Sequence, residues 1–293
     1  MTRDERAAQL NERLQHGLLI CDGAIGTMLS AAGHSAGESL DAYNVTRPDA
    51  VRAVHRAYRE AGSTLITTNT FQASSISLAR HNLAARAPEF NRAGAQLARE
   101  VAGDDLFVAG DIGPTGMILE PYGDLTESEA WGSFDEQAQA LAEGGVDMFI
   151  VETFTDLAEA KLAVAAAAST ALPVAASLSF DPNGRTVFGV TPRQAAEGLA
   201  EAGATVVGAN CGTISPAEMV EILRQFREAT GLPLLAQPNA GRPQRTDSGT
   251  VFPGTPEDFA VSAPAFRELG VTLLGGCCGT TPRHIAALAA RLV

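Results

Sequence analysis

The chain has 293 residues, of which 45% are hydrophobic, and its formal net charge at neutral pH is −13. This length is enough for two ordinary domains or for one α/β barrel, a fold that usually takes about 250 residues. The negative charge disfavours binding to nucleic acid or to an anionic membrane, because both require a basic protein surface. The N-terminus lacks the apolar segment of a secretory signal, and no stretch reaches the roughly 18 apolar residues of a membrane span. We therefore expect a cytoplasmic protein.

The first 17 residues predict a short amphipathic helix that ends at Gly17 and closes the bottom of the fold. Eight short apolar runs follow along the chain, and each ends in polar residues or glycine. Because these runs are rich in β-branched residues, they predict strands. They cover residues 18–22, 64–70, 106–111, 148–153, 174–180, 205–210, 234–238 and 272–276.

Longer amphipathic segments lie between the strands. Ser215 and Thr255 each precede a proline and a first-turn acid, which is the pattern of a helix N-cap. Other segments end in glycine just before the next strand, as at Gly62, Gly203 and Gly270, which indicates a helix C-terminus. The predicted helices cover residues 48–60, 73–84, 126–143, 156–168, 191–202, 215–230 and 255–269.

Strand and helix therefore alternate throughout, and near-continuous apolar strands are typical of a parallel sheet covered by helices. Eight repeats favour a closed barrel over an open sheet. No Pro/Gly/Ser-rich linker divides the chain, so the predicted fold class is α/β: a single (β/α)8 TIM barrel over residues 1–293, with a short N-terminal helix. Three long loops, 23–44, 113–124 and 241–254, follow strands and are expected to cover a site at the C-terminal end of the barrel.

Three of the four cysteines follow predicted strands. Cys277 and Cys278 end the eighth strand within Gly-Gly-Cys-Cys-Gly, and Cys211 follows the sixth, so all three are expected at the same end of a barrel. The flanking glycines let the backbone bend so that both neighbouring thiols turn to one ion. Three thiolates leave one position of a tetrahedral zinc ion open for a substrate. Cys21, inside the first strand, is interpreted as a small buried hydrophobic residue, and four cysteines are too few for a disulfide scaffold.

Three polar residues are expected at the same rim. Asp22 ends the first strand, Glu152 ends the fourth and Asn239 follows the seventh. The two carboxylates facing a zinc site could hold the ammonium group of an amino acid whose sulfur binds the metal. For Asp22 and Asn239 a turn residue is the structural alternative. Glu152 in an apolar run is harder to explain structurally, because a buried unpaired carboxylate is costly.

Seven motifs, in order along nearly the whole chain, resemble those of the homocysteine S-methyltransferase family. They are Asp-Gly-Ala-Ile-Gly-Thr (22–27), Thr-Asn-Thr-Phe (68–71), Gly-Pro-Thr-Gly (113–116), Val-Glu-Thr-Phe (151–154), Ala-Asn-Cys-Gly (209–212), Pro-Asn-Ala-Gly (238–241) and Gly-Gly-Cys-Cys-Gly-Thr-Thr-Pro (275–282). Three further motifs look most like the homocysteine module of cobalamin-dependent methionine synthases: Glu-Thr-Phe-Thr-Asp (152–156), Thr-Val-Phe-Pro (250–253) and Asp-Phe-Ala (258–260).

The resemblance implies a (β/α)8 barrel in which zinc binds homocysteine as its thiolate. It maps the zinc ligands to Cys211, Cys277 and Cys278, and the contacts to the homocysteine amino group to Asp22 and Glu152. It also implies that Asn239 approaches the vacant zinc position when substrate is absent, and that the backbone beside Gly23 meets the substrate carboxylate.

The methyl donor is less well determined by these residues. Family members that use betaine enclose its quaternary ammonium group in aromatic side chains, and the corresponding stretches here, 70–73 and 152–155, lack the expected tyrosines. The leading donor is a methylated corrinoid carried by a separate protein. S-methylmethionine or another small methyl sulfonium or ammonium compound is the alternative.

Two other classes of function are weighed against methyl transfer. A Schiff-base aldolase on the same barrel requires a lysine at a strand end, yet the sole lysine, Lys161, falls within a predicted helix. A non-catalytic zinc-binding scaffold remains the alternative of another class, because a fold alone does not establish a function.

Overall fold

The computed structural model describes residues 3–31, 33, 37–247 and 249–292. Eight parallel strands form one sheet, and a separate antiparallel hairpin, β8–β9, lies between the seventh and eighth of them. The strands are β1 Leu19–Ile20, β2 Leu65–Thr67, β3 Phe107–Ile112, β4 Met148–Phe154, β5 Val174–Leu178, β6 Val206–Asn210, β7 Leu234–Gln237, β8 Gln244–Thr246, β9 Gly249–Val251 and β10 Val271–Leu274.

The parallel strands pair in the order β1-β10-β7-β6-β5-β4-β3-β2. The two ends of this sheet meet at Thr64, just before β2. Its N–H donates to the carbonyl oxygen of Ile20 in β1 over 2.8 Å, and its Oγ1 accepts from the Ile20 N–H over 2.9 Å. The sheet is therefore nearly closed, and the predicted single (β/α)8 TIM barrel is confirmed.

Helices cover the outside of the barrel. They are α1 Arg3–His16, α2 Ile25–Ala31, α3 Tyr43–Thr46, α4 Pro48–Glu60, α5 Ser75–Ala79, α6 Ala87–Ala102, α7 Glu127–Gly144, α8 Leu157–Ala168, α9 Pro192–Glu201, α10 Pro216–Ala229, α11 Pro256–Ala260, α12 Ala263–Glu268 and α13 Pro282–Leu292, with a 3-10 turn at Ala84–Arg86. Among the described residues, no helix is both long enough and apolar enough to cross a membrane.

The N-terminal helix lies where the sequence predicts it. Leu10 and Leu14 of α1 are buried in the same cluster as the inward-facing side chains of the strands, which include Leu65, Phe107 and Leu273. Burial of these apolar side chains stabilises the helix at the N-terminal end of the barrel. The helix thus closes the end opposite to the strand C-termini. Residues 1 and 2 of the predicted segment lie outside the described residues.

Two predicted helices differ from the structure. The segment 73–84 is helical only at Ser75–Ala79, because Asn82 adopts a positive φ of 58°. The segment 255–269 contains two helices, α11 and α12, with Pro264 in the first turn of the second. Proline has no N–H to donate and its ring collides with the carbonyl one turn earlier, so a single continuous helix is disfavoured there.

Two of the three predicted long loops contain regular structure. The loop 23–44 includes α2 and the start of α3, and the loop 241–254 includes the β8–β9 hairpin. Residues 32, 34–36 and 248 of these loops lie outside the described residues. All three loops follow barrel strands, so they rise from the C-terminal end, where barrel enzymes carry their active sites.

Candidate active site

A cavity of about 440 Å³ opens at the C-terminal end of the barrel. It brings together six of the seven residues that the sequence analysis selects: Asp22, Gly23, Glu152, Cys211, Cys277 and Cys278. Asp22, Gly23 and Glu152 come from the β1 and β4 side, whereas the three thiols come from the β6 and β10 side. The cavity therefore has an acidic wall and a thiol wall.

The thiol wall is compact. The sulfur atoms of Cys211, Cys277 and Cys278 all lie within 4.8 Å of one another, and those of Cys211 and Cys278 are 3.8 Å apart. All three residues are partly buried, and none forms a disulfide. Soft thiolate ligands in a tetrahedral arrangement are typical of zinc. Among the described residues, this is the one cluster of cysteine, histidine or acidic side chains with a geometry that could hold a metal ion.

The backbone at the end of β6 sets the direction of Cys211. Its φ is +51°, a left-handed conformation that is uncommon for a residue with a side chain and is often found at functional sites. Its N–H donates to the carbonyl oxygen of Gln237 in β7 over 3.0 Å. The next residue, Gly212, has φ +74°, and a β-carbon there would collide with the carbonyl oxygen of Phe180. This turn requires glycine and directs the thiol into the cavity.

The Cys277-Cys278 pair is held between β1 and β7. The N–H of Cys277 donates to the carbonyl oxygen of Pro238 over 2.8 Å, and the carbonyl oxygen of Cys278 accepts from the Ala240 N–H over 3.0 Å. A β-carbon on Gly275 would come within 2.6 Å of the Cys21 side chain. The glycine before the pair therefore permits the close approach of β10 to β1 that carries both thiols to the cavity.

The electrostatics of the three thiols fit a metal-binding role. Hydrogen bonds from Cys211 and Cys277 hold the pKa of Cys278 well below its usual range, which favours its thiolate form. The hydrogen bonds to Cys211 and Cys278 raise the pKa of Cys277. A cation bound between the sulfur atoms favours the thiolate form of all three. The donor set and its spacing therefore fit a zinc ion.

Asn239 lies beside the thiols but does not line the cavity. It is 1% exposed, and its Nδ2 donates to the carbonyl oxygen of Gly212 over 2.9 Å. Its Oδ1 has no hydrogen-bond partner among the described residues. An unpaired buried amide oxygen is costly, so this atom is suited to a ligand that comes from outside the chain.

On the acidic wall, Asp22 is 1% exposed. Its two oxygens accept from the N–H and the hydroxyl of Thr67, each over 3.0 Å. Burial raises the pKa of Asp22 to about 8, although these hydrogen bonds lower it in part. In a cavity whose described lining has no lysine or arginine, a cationic ligand is the natural partner for this carboxylate.

Glu152 lies on β4, where the register shifts between Val151 and Phe154. Such a bulge changes the direction of a side chain and is common beside active sites. The Nδ2 of Asn210 donates to Glu152 over 2.6 Å and lies 3.8 Å from the sulfur of Cys277. Burial, followed by the charge on Cys278, raises the pKa of Glu152 to about 7.

Two site residues are missed by the sequence analysis. Asn210 links the acidic wall to the thiol wall, and it is visible in the sequence only as part of the Ala-Asn-Cys-Gly motif. Asp111, at the end of β3, lines the cavity with Asp22 and Glu152. The signal that selects Asp22 and Glu152, a carboxylate ending an apolar strand, also applies to Asp111.

Gly23 follows Asp22 in the cavity lining. A β-carbon on this residue would come within 2.5 Å of Thr280 Oγ1 and 2.9 Å of the Tyr58 hydroxyl. Tyr58 donates to the carbonyl oxygen of Ala24 over 3.0 Å, and the Ala24 N–H donates to Thr280 over 3.1 Å. The backbone here is therefore fixed, and it requires glycine.

Cys21 and Lys161, which are not predicted to belong to the site, lie outside it. Cys21 is fully buried in the barrel interior, as a small hydrophobic residue is expected to be. Lys161 lies on α8, 40% exposed, and pairs with Glu201 over 2.8 Å. A Schiff-base mechanism through this lysine is therefore not supported by its position.

Comparisons with known proteins agree with the site. The methionine synthase of Mycobacterium tuberculosis is 33% identical over 297 residues, covering 94% of this chain and 25% of that protein. The methionine synthase of Mycobacterium leprae is 33% identical over 301 residues, covering 96% of this chain and 25% of that protein. The chain spans about a quarter of the length of these curated relatives.

A solved structure resembles this one over almost its full length. The metallated form of the homocysteine methyltransferase MmuM from Escherichia coli superposes with a TM-score of 0.79 at 26% identity, covering 97% of this chain and 98% of that one. The family model described as homocysteine S-methyltransferase matches residues 19–292, which include every cysteine discussed above. With motifs, fold and thiol cluster in agreement, the chain belongs to the homocysteine S-methyltransferase family.

Proposed function

We propose that this barrel transfers a methyl group to the sulfur of L-homocysteine, forming methionine, with a zinc ion held by Cys211, Cys277 and Cys278. One observation carries the proposal: three thiols within 4.8 Å of one another share a cavity with carboxylates that have no lysine or arginine partner in its described lining. An amino acid with a thiol side chain has the two groups that such a cavity is suited to bind.

Asp22 and Glu152 bind the ammonium group of homocysteine in this proposal. Both carboxyl groups have raised pKa values in the ligand-free chain, mainly because they are buried. An ammonium ion between them offsets the cost of burying their negative charge. The backbone beside Gly23 binds the substrate carboxylate, and the unpaired Oδ1 of Asn239 would be available to the zinc ion when homocysteine is absent.

The chemistry needs a nucleophilic sulfur, and a free thiol with a pKa near 8.5 is mostly protonated at neutral pH. Zinc, when bound, supplies the thiolate form of the substrate without a separate general base. Asp22 and Glu152 hold the amino acid in one orientation, so its sulfur faces the donor. The sulfur then forms a bond to the methyl carbon while the bond to the donor breaks, and the donor keeps that electron pair. No acid-base residue is required.

The leading donor is a methylated corrinoid carried by a separate protein. Similarity of nearly the whole chain to methionine synthases supports this donor. The loops around the cavity also present large exposed apolar side chains, which suit contact with a protein partner. They are Met117, Ile118, Tyr122, Val187, Phe188 and Val251.

S-methylmethionine or another small methyl sulfonium or ammonium compound is the alternative donor. Betaine is disfavoured, because Phe71 is the one phenylalanine, tyrosine or tryptophan among the described residues lining the cavity. An aromatic cage for a quaternary ammonium group needs more than one ring face. We place the reaction in the cytoplasm, where cysteines stay reduced.

The test is methionine formation from homocysteine by the zinc-loaded chain, with methylcobalamin, S-methylmethionine and betaine as parallel donors. We expect methionine to form with methylcobalamin, with S-methylmethionine or with both. No methionine should form when the chain is metal-free or when homocysteine is left out. A zinc-loaded chain that binds no homocysteine and accepts methyl groups from none of the three would favour the non-catalytic zinc scaffold instead.

A further inference from the structure

Asp111 is a buried carboxylate in the same cavity as Asp22 and Glu152, and the proposed reaction gives it no role. It is 5% exposed and lies at the end of β3, between the strands that carry Asp22 and Glu152. Its Oδ1 has no hydrogen-bond partner among the described residues. Burial, followed by the charges of Glu152 and Asp22, raises the pKa of Asp111 well above its usual range.

An unpaired buried oxygen such as Asp111 Oδ1 lowers the stability of the fold. A buried carboxyl oxygen without a hydrogen-bond partner costs free energy of folding, and an apolar residue of similar size would avoid that cost. Of the described residues that line the cavity, none is lysine or arginine, so no fixed cation of this lining compensates Asp111. The unpaired oxygen therefore indicates a ligand that donates hydrogen bonds and carries positive charge.

The position of Asp111 is fixed without the use of its carboxylate. Its N–H donates to Thr68 Oγ1 over 2.9 Å, and its carbonyl oxygen accepts from Thr70 Oγ1 over 2.8 Å. The two threonine hydroxyls are themselves 2.5 Å apart, and Thr68 and Thr70 are fully buried. A side chain on a backbone held this firmly is preorganised for binding, which reduces the entropy lost when a ligand arrives.

We infer that Asp111 is the third acceptor for the ammonium group of the substrate, beside Asp22 and Glu152. An ammonium group has three N–H bonds, and the ends of β1, β3 and β4 offer three carboxyl groups around one part of the cavity. Asp111 then determines specificity for amino acids over thiols that lack the amino group. This inference rests on the proposed function, because it assumes that homocysteine binds with its ammonium at the acidic wall.

The test compares two thiols with zinc-loaded protein by isothermal titration calorimetry. Homocysteine carries the ammonium group, and 4-mercaptobutanoate is the same molecule without it. Asp111→Asn should weaken homocysteine binding about tenfold or more, as loss of a hydrogen bond to a charged group does. Its affinity for 4-mercaptobutanoate should change less than twofold.

Asp41→Asn is the matched control. Asp41 is also buried in the cavity lining, but both its oxygens are bonded, one to Ser39 and one to the Gln72 N–H. This variant should leave the ratio of the two affinities unchanged. A thermal melt of the zinc-free protein adds a second measurement. Asp111→Asn keeps the size of the side chain and breaks no hydrogen bond of Oδ1, so its Tm should not fall below that of the parent.

Equal loss of affinity for both thiols, or no loss for homocysteine, would overturn the inference while leaving the proposed function intact. A lower Tm together with equal losses would show that Asp111 supports the fold instead. If the parent protein binds no homocysteine, the proposed function fails, and the role given to Asp111 fails with it.

Discussion

Four cysteines occupy two different environments in this barrel. Cys211, Cys277 and Cys278 gather their sulfur atoms at the C-terminal end, whereas Cys21 packs among apolar side chains of the interior. If the first three bind zinc, replacing Cys211 with serine should abolish tight zinc binding, because a hydroxyl is a poor ligand for this soft site. We expect the parent to retain about one zinc per chain after dialysis, as one tetrahedral site requires.

The measurement is zinc content by inductively coupled plasma mass spectrometry. Cys21→Ala is the control, since it removes a thiol from the core and leaves the three clustered sulfur atoms in place. It should keep the zinc content of the parent, with some loss of thermal stability from the small cavity it creates. Full zinc content in Cys211→Ser would contradict the three-thiolate site.

The buried carboxyl group of Asp22 should make the free energy of unfolding depend on pH. Burial raises its pKa in the folded chain from 3.8 to about 8. A raised carboxyl pKa contributes stability that is fully present below the unfolded-state pKa and is lost as the pH rises through the folded-state pKa. Between about pH 5 and pH 8, the zinc-free parent should therefore lose more free energy of unfolding than Asp22→Asn does.

Urea unfolding with a metal chelator at several pH values measures this difference. The difference between the two proteins isolates Asp22, because the other buried carboxylates are the same in both. Parallel curves of unfolding free energy against pH for the parent and Asp22→Asn would contradict the raised pKa.

A helix cap stabilises the helix that follows the strand end carrying Cys211. Ser215 caps α10, which follows the Cys211 turn, and its hydroxyl accepts from the Glu218 N–H while Glu218 accepts in return. Ser215→Ala removes this capping box and should lower the free energy of unfolding by about 1 kcal/mol. Zinc content should stay unchanged, because the thiols lie outside the helix.

Ser215→Thr is the matched control for the cap, since threonine also offers a hydroxyl to the first turn. It should restore most of the stability measured by urea unfolding. If Ser215→Ala were as stable as Ser215→Thr, the cap would make no net contribution to the helix.

The strands could be predicted from the sequence because each is a short apolar run between amphipathic helices. The same pattern does not define helix ends where the chain turns sharply, as at Asn82 and Pro264. In the site, Cys211 and Glu152 were visible as chemically distinctive residues at strand ends. The linking role of Asn210 could not be predicted, because its bonds to Glu152 and Cys277 depend on how β4 and β6 approach each other.

At the scale of the molecule, we propose that residues 1–293 form one folding unit. α1 buries Leu10 and Leu14 in the barrel interior, and a backbone hydrogen bond from Thr64 joins β2 to β1. A closed barrel has no free sheet edge, so partial unfolding exposes unpaired strands. Zinc-free protein should therefore unfold in a single transition by both circular dichroism and intrinsic fluorescence, and separate midpoints for the two probes would argue for two units.

The two walls of the cavity together determine how homocysteine is expected to lie in it. The acidic wall suits an ammonium group and the thiol wall suits a metal, so homocysteine is expected to bind with its sulfur at the thiol wall. The net charge of −13 disfavours polyanionic ligands near the cavity.

The most direct test of this account is zinc K-edge X-ray absorption on the zinc-loaded chain, with and without homocysteine. We expect three sulfur ligands and one lighter oxygen or nitrogen ligand without substrate, and four sulfur ligands when homocysteine is added. A sulfur count that does not change on adding saturating homocysteine would contradict it.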